Sequence, residues 1–520
     1  MSTKLNNNLK FIEMQNFQID ERTSSTEKSY NREDWREGYQ SLKEEYDYWI
    51  DDIEGEIPPE LNGTLFKNGP GLLDINGQNI HHPFDGDGMI SRITFNNGRA
   101  HFRNRFVRTK AYIEEQKAGK ILYRGVFGTQ KPGGWLANAF DFNLKNIANT
   151  NVIYWGGKLL ALWEAAEPHK LDPRTLETLG KEYFDGVLSE GEAFAAHPRF
   201  DPSCEQDNGE PCLVNFSIKP GLSTTITIFE LDTTGKIVRK NAHSVPGFAF
   251  IHDFVITPNY CILFQNPVTF NPIPFALGMR GAGECIKFQP NQPTKVVIIP
   301  RRSPLAPLGK GGTQYKVQIL ETQSGFVFHH TNAFEKDNEI VIDSICYENL
   351  PEVEPESDFR DTDFESLTPG QLWRFHLNLK DNTVRRELIE SRCCEFPCVH
   401  PEKVGRDYRY LYMGAAHGDR GNAPLQAFEK VDLETGEKQL WSAAPHGYAS
   451  EPNFVPRHRH GDEDDGWVLG LVYDSTHHRS DVVILDAKDL NKGAIARLHL
   501  KHHIPYGLHG NFVNDVFIDS

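Results

Sequence analysis

Short apolar runs broken by polar, glycine-bearing turns fill the chain beyond residue 50, and this punctuation constrains the fold most. The turn ELDTTGK (230–236) returns as VDLETGEK (431–438) and, more loosely, as KLDPRTLETLGK (170–181). FNNGR (95–99), LKDNT (379–383) and LDAKDLNKG (485–493) carry related chemistry. Asp, Asn, Thr and Gly supply the side-chain caps and positive φ that tight hairpins need. The runs at 225–231, 295–300, 339–347, 408–414, 467–474 and 481–485 are rich in Val, Ile and aromatics and read as strands. Residues 29–50 read as a helical or irregular lead-in. Beyond them no long amphipathic helix alternates with the strands, which argues against a βαβ fold. We therefore expect an all-β chain, a seven-bladed β-propeller in which such hairpins join the outer strands of the blades. About 490 residues over seven blades is about 70 each, above the roughly 40–45 of a compact blade, so long loops must cover one face. Separate β-sandwiches would need linkers rich in Pro, Gly and Ser. None divides 29–520, which we take as a single domain, while the polar tail 1–28 is expected to be disordered.

The charge balance narrows the partners. The 520 residues carry 55 Lys and Arg against 72 Asp and Glu, a formal net charge of −17. That argues against nucleic-acid binding, which needs a basic face against phosphate. No run approaches the roughly 18 apolar residues of a spanning helix. Residues 1–20 lack the apolar core of a secretory signal. With 8 Cys, reduced thiols in a cytoplasmic, soluble chain are the expectation.

Histidine stands out at 21 residues. Most lie in polar loops, His458, His460, His477 and His478 among them, and a solvated surface accounts for these. Four sit in apolar surroundings: His197 in EAFAAHPRFDP, His252 in PGFAFIHDFVITP, His329 in GFVFHHTNAFE and His509 in IPYGLHGNF. One such residue is ordinarily a hydrogen-bonded core histidine. Four, spaced so that each falls in a different blade, fit side chains meeting at a propeller axis, where they would bind Zn, Cu, Ni or Fe. Metal-bound imidazoles usually donate their second ring N–H to a carboxylate. Glu164 in LLALWEAAEPH, Glu395 in CCEFPCVHP and Glu451 in GYASEPNFVP are candidates, the alternative being that each caps a local turn.

Together with ELNGTLFKNGPG (60–71), HPFDGDGM (82–89), LWEAAEPHKLDP (162–173), FIHDFVITPNYCILFQNP (250–267) and LHGNF (508–512), these segments resemble the carotenoid cleavage dioxygenase family over about 29–520. EEQKAGK (114–120), NIANTN (146–151) and KHHIPYGLHG (501–510) resemble its bacterial, cyanobacterial-type branch that acts on apocarotenoids. The resemblance implies a seven-bladed propeller under a helical and loop dome. It implies a non-haem Fe(II) cofactor on His197, His252, His329 and His509, with O2 as co-substrate. The family's FH-x-x-N pattern selects His329 over His330. Glu164, Glu395 and Glu451 match the glutamates behind the ligands, and Thr150 a residue whose methyl crowds an open coordination position. Tyr39, Phe84, Phe127, Trp163, Phe250, Phe328 and Phe396 would line a substrate tunnel.

The activity so implied is oxidative cleavage of the 15,15′ double bond of an apocarotenal or apocarotenol, giving retinal and a second carbonyl product. Cleavage of another carotenoid bond or of a stilbene, a retinoid isomerohydrolase activity, or a non-catalytic carotenoid-binding propeller are the rival readings, with a zinc hydrolase behind them. So insoluble a substrate would come from a membrane. The aromatic loop 125–144, with Phe127, Trp135, Leu136, Phe140 and Phe142, and possibly 271–279, are the expected peripheral contacts. No obligate protein partner is expected.

Overall fold

The computed structural model describes residues 28–204, 209–301, 316–350 and 358–518. The tail expectation for 1–28 thus falls, but for Lys28, outside the described residues. Seven antiparallel sheets follow one another along the chain, with two short two-stranded ribbons beside them. Innermost strands, in blade order, are Gly510–Val513, Asn151–Trp155, Arg199–Asp201, Phe254–Ile256, Phe326–Lys336, Cys394–Val399 and Asn453–Pro456. Neighbouring inner strands touch one another around an axis. The ring closes twice. Gly510–Val513, at the C-terminal end, pairs with Gly63–Leu72 as the inner strand of the first blade, while Ile53–Gly55 pairs with Ala494–His499 as the outer strand of the seventh.

Both faces of a blade are buried, so its strands read as unbroken apolar runs instead of alternating ones. In Tyr260–Gln265, Cys261 and Leu263 join the core shared with the third blade, while Ile262 and Phe264 join that shared with the fifth. In Thr294–Pro300, Val297 and Ile299 face one way and Val296 and Ile298 the other. A period of two with both sides apolar is what strand geometry requires between packed sheets. One such cluster fills each of the seven seams between blades.

The repeated turns join third to fourth strands, as expected. Asp232 accepts from the amides of Thr234 and Lys236, and Asp432 from those of Glu434 and Thr435. The loose relative is the same turn: Asp172 accepts from Arg174 and Thr175, and Leu176 takes the positive φ of 59° that Gly436 takes at 75°. Full burial of the Leu176 side chain compensates backbone strain that glycine avoids. The lead-in holds the helix Arg32–Glu37, capped by Asn31. The longest helix among the described residues, Lys110–Ala118, has Thr109 as its N-cap and left-handed Gly119 at its end. Helices and loops from 30–40, 107–149, 266–293 and 358–370 form the dome over one face.

Candidate metal centre

All seven blades deliver a polar side chain to the same end of the axis. His197, His252 and Glu451 lie two residues before their inner strands, and His509 and Thr150 one residue before theirs. Inner strands that share a direction put these positions on one face of the ring. His329 and Glu395 lie within their strands, and each sits where the pairing register slips. Such irregularities re-aim a side chain, and Phe396, beside Glu395, has a φ of 56°. Glu164 follows Lys158–Leu162, which runs back to the same end.

The four histidines converge. Nε2 of His197 lies 2.9 Å from that of His252, His252 lies 3.2 Å from His329, and His329 3.2 Å from His509. Three of the rings are oriented from behind: His252 Nδ1 meets Glu164, His329 Nδ1 lies 2.5 Å from Glu395 Oε2, and His509 Nδ1 lies 2.8 Å from Glu451 Oε1. A carboxylate fixes the proton on Nδ1 and turns the Nε2 lone pair inward. Lone pairs so close repel one another unless a cation sits among them. Neighbouring ligands at about 2.1 Å from a metal lie about 3 Å apart, so the donor set fits one ion held by four neutral imidazoles.

The carboxylates are graded by what compensates them. Burial pushes Glu451 up, but Lys67 beside it and His509 hold it down to about 2. Lys67, itself buried, donates from Nζ to Glu451 Oε2 at 2.6 Å. Glu395 accepts the Tyr347 hydroxyl at 2.7 Å and the Phe396 amide at 2.8 Å. Against burial, His329 and these bonds hold its carboxyl below the usual range. Burial raises the Glu164 carboxyl most, but His252, His509 and His329 together bring it below the usual range too. It is the most exposed of the three and lines the cavity. Burial and then the neighbouring imidazoles push His197 well down, toward the neutral ring that binds metals.

A cavity of about 360 Å³ opens onto His252, His329 and His509, and another of about 520 Å³ adjoins it. All seven expected tunnel aromatics (Tyr39, Phe84, Phe127, Trp163, Phe250, Phe328 and Phe396) line the first, as do Thr150, Glu164 and Glu395, while Glu451 stands behind His509. Tyr39, Phe84, Phe127, Phe250 and Phe328 line both, making one passage. Lys67, Tyr347, Trp35 and Tyr506 belong to this site and escaped the sequence reading. Trp35 and Tyr39 stand four apart in the lead-in, a visible helical spacing, and pack on Tyr506. Nothing local marks Lys67, whose partner lies 384 residues away.

Two expectations need correction. Burial does not single out the four converging histidines: His252 is only half-buried, while His101, His169, His330, His400, His499, His502 and His503 are buried. What distinguishes the four is convergence. His330 points away, its Nδ1 on Ser344 Oγ at 2.7 Å, and it is His329 that joins the converging group. Loop 125–144 also divides. Phe127 lines the passage, while Trp135, Leu136, Phe140 and Phe142 are exposed.

The family model described as retinal pigment epithelial membrane protein matches residues 39–514. Apocarotenoid-15,15′-oxygenase of Synechocystis sp. is 55% identical over 491 residues, 94% of this chain and 98% of that protein. Isoeugenol monooxygenase of Pseudomonas nitroreducens is 30% identical over 89% of this chain and 94% of its own. The crystal structure of the cobalt-substituted Synechocystis apocarotenoid oxygenase superposes with a TM-score of 0.90 at 55% identity, covering 94% of this chain and all of the other. With the fold, the histidine ring and these matches in agreement, the chain belongs to the retinal pigment epithelial membrane protein family, the carotenoid oxygenases that its motifs resemble.

Proposed function

We propose that this protein is a ferrous-iron dioxygenase that uses O2 to cleave the 15,15′ double bond of an apocarotenal or apocarotenol, giving retinal and a second carbonyl product. The observation that carries it is four imidazole nitrogens converging on the wall of a passage lined by aromatic rings. Identity of 55% to an apocarotenoid-15,15′-oxygenase supports the choice of substrate and bond. Iron, when bound, supplies the place where O2 is activated beside the alkene. Four histidines without a carboxylate or thiolate ligand are unusual for catalytic zinc, which favours the oxygenase over a hydrolase.

The chain's own residues bind, orient and exclude water. His197, His252, His329 and His509 hold the ion, and Glu164, Glu395 and Glu451 keep three of the rings turned toward it. Thr150, in the cavity wall, would crowd the surroundings of the bound ion with its methyl group. Tyr39, Phe84, Phe127, Trp163, Phe250, Phe328 and Phe396 form a slot for a rigid polyene, so the distance the substrate slides in sets which bond meets the metal. Placing one oxygen atom on each alkene carbon requires no nucleophile or proton donor from the protein.

Exposed Trp135, Leu136, Phe140 and Phe142, with Ile273 and Met279 of 271–279, form the surface by which a cytoplasmic protein draws substrate from a bilayer. Among the described residues no helix is long and apolar enough to cross one. The test is incubation of iron-loaded protein, at about one iron per chain, with apo-8′-carotenal under air. Retinal is the expected product. Geometric isomers alone, cleavage at another bond, or turnover of a stilbene only would overturn the proposal.

A further inference from the structure

The two exposed apolar segments are separate in sequence and one surface in space. Phe140 N donates to Ala276 O at 2.7 Å, and the Phe142 and Phe275 rings lie 5.9 Å apart. Gly278, at φ 69°, packs so closely that a Cβ there would lie 2.4 Å from Ala139 N. Beneath them lies a fully buried arginine, Arg124. Its Nη1 donates to the carbonyls of Asn138 (3.2 Å) and Asp141 (2.6 Å), and its Nη2 to those of Phe275 (3.1 Å) and Arg280 (2.8 Å). Two acceptors come from each segment, and the guanidinium stacks 4.4 Å from the Phe275 ring. A buried cation is costly unless its donors are met, and four of the five N–H groups of Arg124 are, Nε alone lacking a partner. The planar fork of arginine meets four carbonyls from two directions at once, which lysine cannot.

The same short run also reaches the passage. Phe127, three residues on, lines it, and its amide donates to Asp85 Oδ1 at 2.9 Å, with the Thr129 amide on Oδ2 at 3.1 Å. Arg124 therefore fastens the apolar surface at a set distance from an aromatic wall of the mouth.

We propose that Arg124 is a positioning residue for substrate uptake, holding both segments together as one surface that docks on a lipid bilayer beside the cavity mouth. This rests on the membrane reading above. Interfacial binding grows with the apolar area presented together, and without the clamp each segment presents its own part alone.

The experiment uses the full chain, phosphatidylcholine vesicles carrying apo-8′-carotenal, and the same substrate in detergent micelles. Arg124→Gln and Arg124→Lys are expected to bind vesicles about tenfold more weakly and to raise KM for vesicle-borne substrate alike, with kcat within about twofold. Amide exchange should quicken in both 134–142 and 272–280, with iron content unchanged. Wild-type vesicle binding in the variants, unaltered exchange in either segment, or equal losses in vesicles and micelles would overturn the role of Arg124. Failure of the wild-type protein to sediment with vesicles would instead overturn the membrane reading, before any variant is made.

Discussion

Glutamine at position 451 would separate the two tasks of that carboxylate. Oε1 accepts from His509 Nδ1 at 2.8 Å, and Oε2 accepts from Lys67 Nζ at 2.6 Å and from Gly510 N at 2.9 Å. Every neighbour is a donor, and glutamine offers one oxygen and one NH2. With the oxygen on His509, the NH2 group confronts two donors and leaves Lys67 without its counter-charge. Flipped, the NH2 group faces His509 Nδ1 and demands the tautomer whose Nε2 carries hydrogen at the metal. Breaking a buried ion pair from one side costs about 3–5 kcal/mol. Lys67 keeps weaker acceptors in Glu451 O at 3.3 Å and Asn453 Oδ1 at 3.4 Å, which places the loss near about 3 kcal/mol. Loss of the carboxylate behind a ligand costs about 10–100-fold in metal affinity, or about 1.4–2.8 kcal/mol.

Adding Lys67→Met distinguishes these losses. Removing the stranded cation should return most of the stability of the metal-free protein, read by denaturant unfolding, and none of the affinity, read by competing Fe(II) against a chelator. Glu451→Gln that binds iron like the wild type would refute the orienting role. Recovery of affinity together with stability in the double variant would refute it too, since Glu451 would then act only through the fold.

His252→Ala should abolish iron binding and activity, whereas His330→Ala, which loses the bond to Ser344 and the edge contact with Phe264, should keep its iron; equal metal content in the two would break the ligand assignment. Burial, and then Glu390 beside it, push the Glu429 carboxyl up to about 7. The folded state thus holds a proton that the unfolded chain releases near the usual glutamate pKa, so stability is greatest below about 4.3 and falls as pH rises toward 7, by on the order of 3 kcal/mol. Glu429→Gln should flatten the melting temperature between pH 5 and 8 and raise it at pH 8, and an unchanged profile would contradict this. Leu136→Asp with Phe140→Asp should abolish co-sedimentation with vesicles while iron content stays at the wild-type level; undiminished sedimentation would exclude this surface as the contact.

What could be read from the chain, and what could not, divides by how each residue's role is specified. The four converging histidines were readable because an imidazole in an apolar run is anomalous locally, and four anomalies in four blades suggest an axis. Their glutamates were weaker signals of the same kind. Lys67 and Arg124 carry no comparable mark. Lys67 sits in a motif with ordinary polar neighbours, and Arg124 precedes a glycine in what reads as a surface loop. Each becomes buried only because the closed ring brings distant acceptors to it, Glu451 to one and the carbonyls of 275 and 280 to the other. Carbonyl acceptors have no sequence signature, since every residue supplies one. The same logic explains the surplus of buried histidines. His502 stacks on Tyr46 at 4.0 Å and bonds the Tyr48 hydroxyl and the His503 carbonyl, and His499 lies between Asp481 at 2.7 Å and Glu54 at 3.4 Å, so each is satisfied by its own neighbours. The metal site differs because its four inward nitrogens face one another, and four lone pairs aimed at a common point are stable only around a cation.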